Sequence, residues 1–135
     1  MKKDDLKIIF VDDSTIVLET LKALVLDMID SKMITCDFID DSKSVQKMLE
    51  DESIEYDIMF TDINMPNVNG YDLASSAKKL QKYKYKPIIA ITSEFTDESK
   101  ELGSEAGIDG WFIKSIIQDS LQSSIVDTIK KLYKN

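Results

Sequence analysis

Four places in the chain could do chemistry, because each puts polar groups directly at the end of an apolar run. Asp12 and Asp13 follow Leu6-Lys7-Ile8-Ile9-Phe10-Val11. Asp62, with Asn64 two residues on, follows Tyr56-Asp57-Ile58-Met59-Phe60-Thr61. Thr92 and Ser93 close Pro87-Ile88-Ile89-Ala90-Ile91, and Lys114 closes the short run from Asp109. If those runs are parallel strands, three carboxylates, a hydroxyl and an ammonium converge on one rim. Crowded carboxylates repel and raise one another's pKa. A hard divalent cation relieves that repulsion, and an all-oxygen donor set suits Mg²⁺, or Mn²⁺ in its place. Lys114 and the Thr92 hydroxyl can then hold phosphoryl oxygens, and one carboxylate can act as nucleophile to give an acyl phosphate. Metal and ammonium would stabilise the charge spread over the transferring group. Each feature has an ordinary reading by itself: a helix cap, a turn residue, a β-former, a surface lysine. Their recurrence at four successive run ends is what points to a site.

The 135 residues correspond to one domain, 1–135, large enough to bury a core without disulfides or structural metal. All 17 cations are Lys against 25 acids, for a net charge of −8. The absence of His excludes His-based triads, His-ligated zinc and a phosphohistidine carrier. Without Arg there is no arginine finger or bidentate phosphate clamp. The acidic balance argues against direct nucleic-acid binding. Cys36 is the one cysteine; it lies in an alternating run with Ile34 and Phe38 and reads as a buried structural thiol. No apolar stretch reaches 18 residues and the first residues lack a signal-peptide core, so no membrane role and a cytoplasmic location are expected.

The elements that must position the site are five βα units. Strands are expected at Leu6–Val11, Met33–Ile39, Tyr56–Thr61, Pro87–Thr92 and Asp109–Lys114. Their near-continuous apolar character suits burial on both faces. The first helix carries Val17, Leu21, Leu24, Val25 and Met28 at steps of three and four. Ser42–Leu49 follows, capped by Asp41 or Ser42. Then come Tyr71–Lys82 with Leu73, Ala77 and Leu80 inward, and Asp97–Ala106 with Leu102 and Ala106 inward, stopped by Gly107. Gln118–Leu132 is last, with Leu121, Ile125, Ile129 and Leu132 in line. Lys78, Lys79, Lys82, Lys84 and Lys86 read as a solvated helix end. This is an α/β doubly wound fold, a parallel sheet covered on both faces, and its working site lies beyond the carboxyl ends of the strands.

The chain resembles the receiver domains of two-component response regulators, over essentially its whole length. The resemblance rests on Ile9-Phe10-Val11-Asp12-Asp13-Ser14, on Met59 to Gly70 with its Asp62-Ile63-Asn64-Met65-Pro66-Asn67-Val68-Asn69-Gly70 core, on Ile89-Ala90-Ile91-Thr92-Ser93 and on Gly110-Trp111-Phe112-Ile113-Lys114. It implies a flavodoxin-like (βα)5 fold with strand order 2-1-3-4-5. It implies that Asp62 is the phosphoryl acceptor, that Asp13 ligates Mg²⁺ directly and Asp12 through water, and that Asn64 offers its backbone carbonyl. Thr92 would hydrogen-bond the phosphoryl group and Lys114 would pair with it. Thr92 and Trp111 would form the switch, remodelling the face from strand four to the last helix. The donor would be a phosphohistidine on a sensor histidine kinase or phosphotransfer protein. The output would be contact with a downstream protein, with the receiver a monomer or a weak phosphorylation-dependent dimer. Asn64, Ser93 and Glu94 resemble the choices of chemotaxis-type single-domain regulators, which implies fast self-dephosphorylation.

Two positions depart from the family pattern. Ser115 stands where Pro is usual after the lysine, and a cis bond there costs roughly 3 kcal/mol without Pro, so a trans, differently shaped loop is expected. Trp111 is larger than the Tyr or Phe common at its position. Three other readings are weaker. A haloacid-dehalogenase-type phosphatase would have Asp-x-Asp spacing, whereas Asp12 and Asp13 are adjacent. A flavodoxin-like cofactor binder needs a Ser/Thr/Gly-rich cradle where this chain is acidic. A P-loop enzyme needs a motif that is missing. The expected function is a phosphoacceptor signalling protein and not an enzyme, standing alone or, as the alternative, part of a larger DNA-binding or enzymatic regulator.

Overall fold

The apolar runs become strands, and the polar residues between them decide where each helix begins. In the computed structural model, residues 6–93 and 95–114 are described, with Ser123, Asp127 and Lys131. Glu94, Ser115 and most of the helix expected over Gln118–Leu132 lie outside the described residues, and so does the shape of the loop after Lys114. The five strands are β1 (Leu6–Val11), β2 (Ile34–Ile39), β3 (Ile58–Thr61), β4 (Ile88–Thr92) and β5 (Gly110–Ile113). All neighbours are parallel, in the order β2-β1-β3-β4-β5. The doubly wound α/β expectation is met, strand order included.

Four helices connect the strands: α1 (Thr15–Asp30), α2 (Ser42–Glu50), α3 (Gly70–Lys78) and α4 (Asp97–Ala106). Each begins where a short polar side chain accepts from an otherwise orphaned backbone N–H. Ser14 caps α1 by accepting from Val17, and Asp41, not Ser42, caps α2. α3 and α4 each open with a reciprocal box, Asn69 with Asp72 and Thr96 with Ser99. Gly107, at φ 98°, ends α4 in the left-handed region. Asn69→Ala removes one half of the box beside the site. It is expected to cost about 1 kcal/mol, read as a lower urea midpoint at unchanged slope.

Alternation along the strands splits the core in two. Leu6, Ile8 and Phe10 of β1 join Ile58, Phe60, Ile89 and Ile91 against Leu18, Leu21, Val25 and Met28 of α1. Phe10 stacks on Phe38 and Phe60 at 5.0 and 5.1 Å between centroids. Ile9, Val11, Met59, Ile88 and Ala90 face the other way, onto Val45 and Leu49 of α2 and Leu73, Ala74 and Ala77 of α3. Cys36 is half-buried, and burial pushes its thiol pKa up to about 12, in keeping with an inert structural thiol.

Three expectations need correction. α3 stops at Lys78 instead of Lys82. The following turns are tied by Leu80 N–H to Ala77 O, Tyr83 N–H to Leu80 O and Lys86 N–H to Tyr83 O. The physical reason is Tyr83, 1% exposed, which stacks on Tyr56 at 5.3 Å and donates its O–H to Ile54 O at 2.8 Å. A continued helix could not deliver the ring there. Second, the lysine run is not simply a solvated helix end: Lys78, Lys82 and Lys86 pair with Asp109, Glu55 and Asp57 at 3.0, 2.7 and 3.4 Å, at the amino-terminal edge of the sheet. Third, Leu102 points outward, 44% exposed, and α4 buries Gly103 in its place.

Candidate functional site

β1 lies between β2 and β3, and the connection leaving its carboxyl end runs to β2 while the one leaving β3 runs the opposite way to β4, so a crevice opens between the ends of β1 and β3. The backbone ladder fixes the two acids that flank it: Asp12 N–H donates to Ile39 O at 3.2 Å and Asp62 N–H to Val11 O at 2.9 Å. Asp12 and Asp62 are 2% and 6% exposed, whereas Asp13 is open to solvent. One oxygen of each buried acid is held by backbone: Asp12 Oδ1 accepts from Ser14 N–H at 2.9 Å, and Asp62 Oδ1 from Ile63 N–H at 2.8 Å. The other oxygen of each faces Lys114, whose Nζ lies 3.0 Å from Asp12 Oδ2 and 3.3 Å from Asp62 Oδ2. The lysine therefore reaches the crevice with Ser115, not Pro, behind it.

The electrostatics follow from this crowding. Burial, and then the neighbouring Asp12 charge, push the Asp62 carboxyl above the usual carboxylate range, against the pull of Lys114 and the Ile63 N–H. Burial would lower the Lys114 pKa, but its hydrogen bond to Asp12 and the charges of both acids hold it above the ordinary value. At neutral pH the ammonium is thus a fixed positive charge between two buried acids.

Asp12, Asp13 and Asp62 each offer a carboxylate oxygen, and these atoms lie within 4.8 Å of one another. Two oxygens bound to one Mg²⁺ at about 2.1 Å each can stand at most roughly 4.2 Å apart. Small side-chain adjustments therefore suffice for the trio to share a cation, and the donor set is the hard-oxygen kind that Mg²⁺ takes.

The loop back from β3 is closed by Gly70, whose N–H donates to Ile63 O at 2.9 Å. A Cβ on Gly70 would come 2.4 Å from the carbonyl oxygen of Asp62 and 3.0 Å from the Ile63 Cα. Asn64 and Ser93 are exposed on the rim, and Thr92 is buried at the end of β4. Thr92 lies on the same face of β4 as Ala90 and Ile88, and Ala90 pairs with Trp111. Thr92 and Trp111 accordingly share one face of the sheet, a single step apart. The half-buried Trp111 ring is tilted against Phe95, centroids 5.3 Å apart.

Sequence reasoning placed Asp12, Asp13, Asp62, Thr92 and Lys114 on one rim, and the strand order brings them there. It missed Gly103 and Phe95 as the surroundings of Trp111. Nothing in the spacing of α4 signalled them, since Leu102 was the apolar residue in register.

The response regulator receiver domain model matches residues 8–126. The chain belongs to that family. The receiver is 33% identical over 123 residues to stress response regulator protein 1 of Candida albicans, covering 90% of this chain but 42% of that relative's length. It is 26% identical over 128 residues to chemotaxis protein CheY-3 of Vibrio cholerae, covering 95% of each. Among solved structures, the receiver domain of sensor histidine kinase PA1611 from Pseudomonas aeruginosa superposes with a TM-score of 0.78 at 19% identity, over 93% of this chain and 98% of that one. That structure carries a magnesium ion coordinated in its active-site cleft. At this identity the likeness establishes the shared fold. No helix among the described residues of the receiver is long and apolar enough to cross a membrane.

Proposed function

We propose that this receiver takes a phosphoryl group onto Asp62 from a phosphohistidine, in a magnesium-dependent step, and passes the change to a protein partner. The observation that carries the reading is the trio of carboxylate oxygens within 4.8 Å, with Lys114 reaching two of the three. Asp12, Asp13 and Asp62, with the backbone carbonyl of Asn64, would hold Mg²⁺ or Mn²⁺. When bound, the cation neutralises the acids and the charge on the phosphoryl oxygens. The Ile63 N–H holds Asp62 Oδ1, leaving Oδ2 to face the crevice. That oxygen attacks phosphorus and forms an O–P bond as the donor N–P bond breaks. The electron pair leaves with the imidazole, and the product is an acyl phosphate. Lys114 stays protonated and pairs with the phosphoryl oxygens. Thr92 would hydrogen-bond them from β4.

These 135 residues include no histidine, so the phosphohistidine would be supplied from outside them, by a histidine kinase or phosphotransfer protein. The output is a rearranged face around β4, β5 and Trp111, in a cytoplasmic signalling protein that catalyses no turnover beyond its own phosphorylation and dephosphorylation. Exposed Asn64 and Ser93 leave water a path to the acyl phosphate, so the modification should decay well within hours. Intact mass after incubation with acetyl phosphate tests the reading. One phosphoryl group is expected with Mg²⁺ and none in EDTA. An unchanged mass with Mg²⁺ present would remove the phosphoacceptor role.

A further inference from the structure

α1, α2 and α3 each bury at least three residues against the sheet, but the only buried residue of α4 is Gly103. Its sequence, Asp-Glu-Ser-Lys-Glu-Leu-Gly-Ser-Glu-Ala, gives it no apolar stripe, and its one large apolar residue, Leu102, faces solvent. A helix of this kind must be held by something outside itself. The indole of Trp111 does this. A Cβ at Gly103 would lie 2.2 Å from the ring's Cζ2, 3.1 Å from Cη2 and 3.2 Å from Cε2, so the benzo edge of the ring rests against the bare helix backbone. Phe95, just ahead of the helix, leans on the same ring. α4 also packs along α3, where Tyr71 O–H donates to Ser99 O at 3.3 Å, and Ala106 is part-buried at the far end.

We propose that Trp111, seated in the notch at Gly103, is the key that holds α4 on the sheet, so that α4 opens as a unit before α1, α2 or α3.

The notch makes a prediction whose sign is informative. In a helix interior Ala is intrinsically better than Gly, so in an ordinary helix Gly103→Ala would slow amide exchange. Here the new methyl and the ring cannot occupy the same place. Amide hydrogen exchange on the metal-free, unphosphorylated receiver should be roughly tenfold faster over residues 97–106 in Gly103→Ala, with β1 and β3 unchanged. Trp111→Ala should give the same regional pattern. As the chain's only tryptophan, Trp111 also reports directly: Gly103→Ala should shift its emission to longer wavelength and raise its quenching by acrylamide. Unchanged or slower exchange over 97–106 in Gly103→Ala would overturn the proposal, as would faster exchange spread equally through β1 and β3. None of these readings needs phosphate. A receiver that keeps α4 by this key yet gains no mass from acetyl phosphate would defeat the phosphoacceptor reading alone.

Discussion

Asp62→Asn is expected to take up no phosphoryl group from acetyl phosphate and, in metal-free buffer at neutral pH, to melt a few degrees above the wild type. The first half follows from chemistry, since an amide oxygen is too weak a nucleophile to replace the carboxylate. The second follows from the direction of the Asp62 pKa. Burial and Asp12 raise it in the folded protein, so the folded state binds that proton more tightly than the unfolded chain does. The resulting stability is present below the unfolded value and is lost as pH rises through the folded one. At neutral pH the ionised carboxylate is therefore a liability, and Asn removes the charge at nearly constant shape. Lys114 keeps its pairing with Asp12 at 3.0 Å. The advantage of the variant should shrink as the pH is lowered through the range where Asp62 protonates.

Magnesium should reverse the order. A ligand that binds only the folded state adds about 2.7 kcal/mol at a hundred times its Kd, and Asp62→Asn removes one of the three carboxylates proposed to hold it. Thermal melts of both proteins in EDTA and in excess Mg²⁺ check the whole scheme. A variant that melts below wild type in EDTA at pH 7 would mean that the Lys114 attraction outweighs burial and repulsion together.

Gly70→Ala should be the most damaging single-methyl change near the site. Its Cβ would meet the Asp62 carbonyl oxygen and the Ile63 Cα as well as the Ile63 Cδ1, so moving that side chain alone cannot relieve the clash with backbone. Overpacking of this kind costs roughly 3 kcal/mol. Because the clash falls on Asp62 itself, the loss should also appear in function. Relief of the contact moves the segment that carries Asp62 Oδ1 off the Ile63 N–H and away from Asp12. Urea unfolding should show the lower midpoint, and the rate of mass gain from acetyl phosphate should drop at saturating Mg²⁺. A variant as stable as wild type would show that the α3 start can slide away from the loop, contrary to the Asn69–Asp72 box that fixes it.

The residues legible in the sequence were those governed by local physics. Runs such as Ile8–Val11 and Ile88–Ile91 are apolar without interruption because both sheet faces are covered, and their polar ends marked the rim. The cap at Asp41, one of the two candidates offered, and the stop at Gly107 follow from short-range hydrogen bonding and φ. What failed was set by contacts distant in sequence. The end of α3 depends on a place for Tyr83 beside Tyr56, 27 residues earlier in the chain. Leu102 has the spacing of a core residue, but Trp111 already fills that side of α4. At the site, spacing gave the set of acids but not their ranking: Asp12 and Asp62 are buried and share Lys114, whereas Asp13 stands in water.

The three lysine–carboxylate pairs along the opposite edge of the sheet bind the end of α3 and the chain after it to the entrances of β3 and β5. Together with the Tyr83 hydroxyl on Ile54, they make that margin a clamp. Among the described residues, the ion pairing across the rim is in contrast that of one lysine shared between two acids. Stiffness is therefore graded along the strands, firm at the foot and compliant at the lip. A deformation started in the crevice is therefore expected to pass outward through the β4–β5 shoulder more readily than down to the foot of the strands.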